Sequence, residues 1–433
     1  MNVKPITVFI GANSSGKTSL FLPLLLLKQT WASKDRGIAL KTTGPIVDLG
    51  NFRELVFRHG VGRPVSFSFK FVKTARGSSK KPNLRGEKDE PTFISFTFCQ
   101  GRVAHEIKLR KFEVRNAGGE VLLRRTLGST GRYSLRTVFR LSAGLKKIVA
   151  ATKPRHFLFP PFEQLVEHAM KARKKKVRIR LSIGEKKSHR KDDDYIVMMF
   201  IVEQRITSII QSLSYLGPLR DYPQRFYEGS EEVPDSVGSR GEKTPEVLLL
   251  RKDARFRGQL KGWLRKFGLA SKIQCEPLGR GVFAVRVTGK QHGSDFDYAD
   301  TGFGLSQLLP LLVQGLHADK GSVLCVEQPE IHLNPKLQSI LANFFATVAK
   351  DGRFLVVETH SEHFLLRLRS LIAQKVLSPD DVGLYFVEKF GDKSKPREIP
   401  IGSGGHIESD EWPRGFFEDS VGESLRLASL QMS

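Results

Sequence analysis

The residues with the clearest chemical potential form a glycine-rich segment near the start of the chain. Residues 11–18 read GANSSGKT, which matches the pattern G-x-x-x-x-G-K-[ST] between an apolar run and a helical pattern. Such a loop curves its backbone N–H groups around phosphates, while Lys17 bridges the β- and γ-phosphates and Thr18 offers its hydroxyl to Mg²⁺. The sequence therefore predicts ATP and Mg²⁺ as ligands, with nucleotide contacts from Gly11, Asn13, Ser14, Ser15, Gly16, Lys17, Thr18 and Ser19.

Three segments of the second half place further polar groups beside apolar runs. A buried-type strand at 323–326 is followed by Glu327, whose carboxylate is expected, with the Thr18 hydroxyl, to hold Mg²⁺ or its water shell. Another strand, at 354–357, is followed by His360, which could sense a γ-phosphate. Upstream of both, residues 300–307 place glycines and Ser306 at the start of a predicted helix, where an anion is favoured. We expect these segments to complete the phosphate site.

Together these motifs resemble a known family. The sequence is similar to the ABC-type ATPases of the overcoming-lysogenization-defect (OLD) group and, more closely, to the Septu-type PtuA ATPases and relatives with a short C-terminal domain of unknown function. The matching segments are GANSSGKTSL (11–20), VDLGNFREL (47–55), YLGPLR (215–220), DTGFGLSQLLP (300–310), VEQPEIHLNP (326–335), ETHSEHFLLRLR (358–369) and GHIESDEWPRGFFED (405–419). The segment 61–190 is poorly covered by the resemblance.

The resemblance implies a dimer in which two protomers sandwich two ATP molecules. Each nucleotide would lie on the P-loop of one protomer and against the signature motif of the other, so that Gly304, Ser306 and Gln307 would contact the partner's γ-phosphate. His360 would be the switch histidine. The γ-phosphate would then control closure of the dimer.

The catalytic position departs from the family pattern. Gln328 stands where the family carries its catalytic glutamate, and an amide cannot accept a proton from an attacking water. Glu330, two residues further on, is the candidate replacement. We therefore expect slow or partner-gated hydrolysis, with catalytic roles divided among Glu327, Gln328, Glu330 and His360.

Charge is distributed unevenly along the chain. The formal net charge is +25, and residues 61–190 alone carry 32 Lys and Arg against 9 Asp and Glu, which gives +23. A basic segment joined to a near-neutral remainder is typical of a surface that binds a polyanion. Its densest part is KARKKKVRIR at 171–180, and the candidate ligand is DNA or an acidic phage protein. The alternative is a solvated surface without a specific ligand. The predicted contacts are Lys171, Arg173, Lys174, Lys175, Lys176, Arg178 and Arg180.

Composition excludes several classes of protein. Three cysteines in 433 residues are too few for a disulfide framework, which fits a reducing, cytoplasmic location. The longest apolar runs are far shorter than the roughly 18 residues that span a bilayer, so we expect no membrane association. The sequence also shows no Toprim or H-N-H nuclease pattern.

The predicted fold class is α/β, a P-loop ABC-type ATPase head with a basic β-rich insertion. We expect an N-terminal lobe of the head at 1–60, the insertion at 61–195, a C-terminal lobe at 196–400 and a short family segment at 401–433. Period-two alternation at 65–72 and 93–98 predicts antiparallel strands in the insertion.

The principal hypothesis is a bacterial antiphage ATPase that self-associates and controls a separate effector, a nuclease or toxin encoded in the same operon. One alternative is a scaffold that ATP stabilises and that docks an acidic partner. Another is a DNA-repair or SMC-like ATPase whose turnover DNA would stimulate, and steep salt dependence of DNA binding would favour it.

Overall fold

The computed structural model describes residues 1–71, 90–158, 192–289, 295–408 and 410–413. The strands in these ranges are β1 (Ile6–Ile10), β2 (Val65–Lys70), β3 (Phe93–Gln100), β4 (Ile107–Arg115), β5 (Val121–Leu127), β6 (Tyr133–Thr137), β7 (Leu213–Leu216), β8 (Tyr227–Glu228), β9 (Lys272–Gly279), β10 (Val282–Thr288), β11 (Asp295–Asp297), β12 (Val323–Glu327), β13 (Phe354–Glu358), β14 (Val382–Phe390) and β15 (Lys393–Ile399). The helices are α1 (Leu22–Trp31), α2 (Phe52–Leu55), α3 (Ala143–Ala151), α4 (Asp193–Ser212), α5 (Thr244–Leu250), α6 (Ala254–Phe267), α7 (Phe303–His317), α8 (Pro335–Lys350) and α9 (Glu362–Ala373).

The chain divides into two compact units. Unit 1 contains residues 1–22 and the described residues from Ser212 onward, and unit 2 contains the described residues of Pro23–Gln211. This division differs from the predicted boundaries, because residues 23–60 and 196–211 group with the insertion rather than with the head. The physical reason is that α1, α2 and α4 bury side chains such as Leu26, Phe52 and Met199 in the core of unit 2.

Unit 1 is built on a six-stranded sheet with the order β15-β14-β1-β13-β12-β7. All neighbours in it pair in parallel except β14 and β15, which form an antiparallel hairpin. The strands β1, β12 and β13 are nearly continuous apolar runs, as expected of parallel strands covered on both faces. Because parallel strands point the same way, their carboxyl ends share one edge of the sheet, and ligands bind outside that edge in open α/β folds.

The remainder of unit 1 supports that sheet. The apolar face of α7 and those of α8 and α9 join β1, β12 and β13 in one hydrophobic core. A smaller antiparallel sheet, β11-β10-β8 with β9 beside β10, packs into the same core through residues such as Phe283 and Val285. Packing of these large apolar side chains therefore holds the strands of the main sheet, and with them its carboxyl edge, in place.

Unit 2 contains a five-stranded antiparallel sheet with the order β2-β3-β4-β5-β6. Its core is rich in phenylalanine, with Phe96, Phe98, Phe112 and Phe157 fully buried. The predicted β-rich insertion is thereby confirmed, as is the α/β class of the whole chain. The sequence also predicts a helix at 163–172 and a strand at 177–181, and both ranges lie outside the described residues. No helix in the described ranges is long and apolar enough to cross a bilayer.

Candidate functional site: the carboxyl edge of the parallel sheet

The glycine-rich loop leaves β1 and turns sharply at two glycines. Gly11 has φ +145° and Gly16 has φ +92°, which are conformations that favour glycine. A Cβ at Gly11 would stand 2.7 Å from the carbonyl oxygen of Val387, and one at Gly16 would stand 2.9 Å from Oγ of Ser394. Asn13 and Ser14 are exposed. Both glycines are therefore required by the loop's shape and by its close approach to β14 and β15.

After the loop the sequence predicts one helix over 19–28, but the structure divides this stretch in two. Thr18–Leu20 forms a 3-10 turn, and α1 begins at Leu22. Pro23 explains the break, because proline has no amide hydrogen to bond the carbonyl four residues earlier. Ser19 still donates its N–H within the loop, to the carbonyl of Gly16 at 3.1 Å.

Lys17 lies folded into the loop. Its side chain is almost completely buried, and its ammonium donates to the carbonyl oxygens of Gly11 at 3.1 Å and Ala12 at 2.8 Å. The Glu358 carboxylate lies 3.7 Å away. Burial lowers the pKa of the Lys17 ammonium, although the charge of Glu358 acts in the opposite direction. A triphosphate in the loop would add phosphate oxygens to the single long ion pair that this buried cation makes with Glu358.

Glu358 is the site residue that the sequence analysis missed. It ends β13, directly beside the end of β1, where it pairs in register with Phe9. Its Oε2 accepts a hydrogen bond of 2.7 Å from the Thr18 hydroxyl. The predicted metal pair was Thr18 with Glu327, but the carboxylate in contact with Thr18 is that of Glu358. The signal was present in the sequence, since Glu358 stands at the end of an apolar strand just as Glu327 does.

Glu327 ends β12 and is the in-register neighbour of Glu358 across the strands. Its Oε1 accepts a hydrogen bond of 2.7 Å from the Tyr215 hydroxyl. The buried Arg220 donates to the backbone carbonyl of Glu327 at 3.2 Å and is 3.5 Å from that of Gln328. Tyr215 and Arg220 come from the YLGPLR segment, so that motif holds the end of β12 in place.

Gln328, Glu330 and His360 form the far side of the edge. Gln328 has φ +42°, and its N–H donates to the carbonyl of Glu358 at 2.8 Å. The Glu330 carboxylate turns back to accept the N–H of His360 at 2.7 Å. Its other oxygen, Oε2, and the Nε2 atom of His360 are buried and find no hydrogen-bond partner in the described part of the chain.

Burial controls the titration of this group. It raises the pKa of the Glu330 carboxyl, and it raises that of Glu327, where the charge of Glu358 adds to the effect. Burial lowers the pKa of the His360 imidazole, and the charge of Lys17 lowers it further. The pKa of Arg220 falls to about 10 for the same reason of burial. The imidazole therefore favours its neutral form, able to donate or accept a proton at one nitrogen.

The start of α7 carries Gly304, Ser306 and Gln307, the residues predicted to contact a partner's γ-phosphate. The Ser306 side chain is buried, and its hydroxyl donates to the carbonyl of Phe303 at 3.0 Å, so the predicted contact with a partner's γ-phosphate would require the hydroxyl to exchange this bond. Gly304 and Gln307 are half-buried. The exposed part of the helix start is Gly302, which caps α7, and Phe303. Backbone N–H groups at this exposed helix start are further candidate donors.

The residues present fit a nucleotide with Mg²⁺. Three buried polar atoms at this edge, Oγ of Ser15, Oε2 of Glu330 and Nε2 of His360, have no partner within the described residues, whereas buried polar groups are normally paired. The described residues contain no cluster of three or more His, Cys, Asp or Glu side chains that could hold a metal. That is compatible with Mg²⁺, which is commonly bound by one or two protein oxygens together with phosphates and waters.

The predicted basic contacts at 171–180 lie outside the described residues. They therefore remain a prediction of charge and composition.

Comparison with known proteins supports the ATPase class. Residues 173–367 match a family described as "AAA domain, putative AbiEii toxin, Type IV TA system", and residues 377–427 match one described as "Protein of unknown function (DUF3696)". These matches support an AAA/ABC-type ATPase. They do not single out the OLD or PtuA groups.

The solved structures that match this chain include SMC heads. The SMC head domain from Thermotoga maritima matches at 8% identity and TM-score 0.34, over 92% of each chain. The Pyrococcus furiosus Smc head bound to the C-terminal domain of ScpA matches at 12% identity and TM-score 0.37, over 91% of this chain and 90% of that one. Scores this low carry no weight for function. Among curated proteins there is no match.

Proposed function

We propose that the chain is an ATP-binding and ATP-hydrolysing ABC-type ATPase of a bacterial antiphage defence system, which senses infection and controls a separate nuclease or toxin. The observation that carries the ATPase part is the convergence of Lys17, Thr18, Glu358, Glu330 and His360 on one edge of a parallel sheet. Two of these residues, Glu330 and His360, each have a buried polar atom with no hydrogen-bond partner among the described residues. The defence part is supported by the description of the matched family as an AbiEii toxin of a type IV toxin–antitoxin system.

The loop would bind the triphosphate through its backbone N–H groups and through Lys17. Lys17 exchanges its two carbonyl contacts for phosphate oxygens, which suits a cation that burial has deprived of water. Thr18 and Glu358 provide adjacent oxygens for Mg²⁺, with Glu327 next to Glu358 in register. When bound, Mg²⁺ would neutralise charge that develops on the phosphates.

Glu330 is proposed as the group that accepts a proton from the attacking water. It is a carboxylate with a buried oxygen that accepts no hydrogen bond from the described residues, and burial gives it the higher pKa that suits a general base. Gln328 has an amide at the position where the resembled family carries its catalytic glutamate, and this amide can orient a water without deprotonating it. His360 is joined to Glu330 through its backbone N–H, so both would respond to the same γ-phosphate.

Self-association would couple nucleotide state to output. The exposed start of α7 presents helix-terminal N–H groups beside Phe303, which is 50% exposed and contacts the exposed Tyr222. Such a helix start could reach the γ-phosphate of a second copy's nucleotide. Hydrolysis would release that contact and change the surface offered to the effector.

The decisive test is Lys17→Ala in an equilibrium titration with a fluorescent ATP analogue. Loss of the P-loop cation should weaken binding at least a hundredfold, because charge-assisted hydrogen bonds to phosphate are strong. Lys320→Ala is the matched control, since Lys320 is exposed and its ion pair with Asp351 is long, at 3.9 Å. Unchanged ATP affinity in Lys17→Ala would refute the site.

The effector part has its own test. A complex isolated from the native operon and analysed by mass spectrometry should contain a nuclease or toxin. Hydrolysis stimulated by DNA, together with DNA binding that weakens steeply with salt, would favour the SMC-like alternative through the basic segment. An acidic partner with weak, unstimulated hydrolysis would favour the scaffold.

A further inference from the structure

The β14–β15 hairpin extends beyond the edge of the main sheet. The last residue of β1, Ile10, pairs with Phe386, but β14 continues for four more residues to Phe390. At about 3.3 Å per residue this extension is about 13 Å long. A two-residue turn then leads to β15, which pairs back from Lys393. The extension therefore runs beside the glycine-rich loop, which leaves β1 at the same edge.

The hairpin touches the loop at both of its glycines. Val387 of β14 and Ser394 of β15 are the residues that a Cβ at Gly11 and at Gly16 would meet, as described above. Gly16 is the residue before the phosphate-binding lysine, so its N–H is one of those that line a bound phosphate. One wall of the phosphate loop is thus formed by a segment more than 370 residues away in sequence.

Strand alternation decides which side chains share that wall. Lys389 is the in-register partner of Ser394, and directly opposite residues on an antiparallel pair have Cβ atoms about 4.5–5.5 Å apart on one face. Phe390 and Lys393 form the next pair and project to the opposite face. Of Lys389 and Lys393, Lys389 is therefore the one that lies on the same face of the hairpin as Ser394, the residue beside Gly16.

Lys389 is also chemically available. It is exposed, as is Ser394, and no ion pair joins Lys389 to another of the residues that the structure describes. An ammonium on a long flexible side chain beside a phosphate loop is a typical point-charge contact for phosphate oxygens. Lys393 is equally exposed but lies on the other face.

We propose that Lys389 and Ser394 form a second phosphate-contacting element, so that the β14–β15 hairpin binds the nucleotide from the side opposite β13. This inference depends on the proposed function, because ATP must be the ligand of the loop. It gives a role to the first part of the segment 377–427, whose matched family is described as having unknown function. The site would then combine Lys17 from inside the loop with Lys389 from its outer wall.

The test compares charge reversals on the two faces. Lys389→Glu and Lys393→Glu each change the net charge by the same amount at the same hairpin tip. Titration with a fluorescent ATP analogue at fixed ionic strength should show binding weakened about thirtyfold in Lys389→Glu and less than threefold in Lys393→Glu. Lys389→Arg should retain affinity within about threefold, since it keeps the cation, and Ser394→Ala should lose about threefold.

Two results separate the failure of this inference from the failure of the proposed function. If Lys389→Glu and Lys393→Glu weaken ATP binding equally, the hairpin inference is wrong. It is also wrong if neither variant weakens ATP binding while Lys17→Ala abolishes it, and in both cases the loop still binds ATP. If the unsubstituted protein binds no ATP, the proposed function itself is wrong. Thermal unfolding curves that match the unsubstituted protein show that the exposed substitutions leave the fold intact.

Discussion

Two glutamates with buried carboxylate oxygens, one in each unit, are used in opposite ways. Glu113 of unit 2 lies on β4, is 1% exposed, and receives hydrogen bonds from Arg115 at 2.7 Å and from Arg124. The Lys111 ammonium lies 3.6 Å away. Glu330 of unit 1 has one oxygen that accepts a hydrogen bond from a backbone N–H and another that accepts none from the described residues.

The pKa values of the two carboxyls shift in opposite directions for this reason. Burial acts to raise the pKa of both. At Glu113 the hydrogen bonds and charges of Arg115, Arg124 and Lys111 outweigh burial, so its pKa is lowered. At Glu330 burial prevails over the bond from the His360 backbone, so its pKa is raised. A fully paired buried charge serves the fold, whereas a half-paired one needs a ligand that the chain itself does not supply.

The largest effect should come from Glu330→Gln. The amide keeps an oxygen for the His360 N–H but cannot take a proton, so ATP turnover should fall about a hundredfold, which is about 2.7 kcal/mol of barrier. ATP affinity should change little. The measurement is steady-state phosphate release together with a binding titration.

Gln328→Glu is the companion variant to Glu330→Gln. If turnover in Glu330→Gln is unchanged while Gln328→Glu accelerates turnover tenfold or more, the general base belongs at position 328. Glu330 would then differ from Glu113 in its hydrogen bonds but not in a catalytic role.

Glu113→Gln tests the other side of the comparison. Loss of the negative charge leaves three cations grouped without their partner, which should lower the free energy of unfolding by about 2 kcal/mol, toward the low end for buried pairs because the three cations are partly exposed. Urea denaturation followed by intrinsic fluorescence measures this, with ATP affinity as the control. Normal stability would show that the cluster is a surface network without structural weight.

The fold was largely predictable because its strongest signals are local. The apolar strands at 323–326 and 354–357 and the alternating strands at 65–72 and 93–98 were confirmed as β12, β13, β2 and β3. A strand buried on both faces has a continuous apolar run, and a strand buried on one face has alternating apolar and polar residues, so both can be recognised in a short stretch of sequence. The unit boundaries were not predictable in this way, since they depend on which core α1 and α4 enter.

The site was predictable only in part, because side-chain direction depends on packing. The sequence does not show that the Ser306 hydroxyl donates to the carbonyl of Phe303 within its own helix, and its contact with a partner's nucleotide stays a prediction. Glu358 was overlooked beside His360, although strand order places it next to the P-loop. The contact of Ser394 with Gly16 joins the two ends of the chain and leaves no trace in local sequence.

The smallest expected effect is a pH shift that distinguishes Glu330 from Glu327. A base must be ionised, so turnover should rise with pH through the raised pKa of Glu330 and fall on acidification at a pH above the ordinary value of about 4.5. Tyr215→Phe removes the hydrogen bond that lowers the pKa of Glu327. If Glu330 controls the acid limb, its midpoint in Tyr215→Phe should move by less than about 0.3 pH units. A clear upward shift of this midpoint would assign the acid limb to Glu327. The difference between Glu330 and Glu113 would then be one of hydrogen bonding, without a consequence for catalysis.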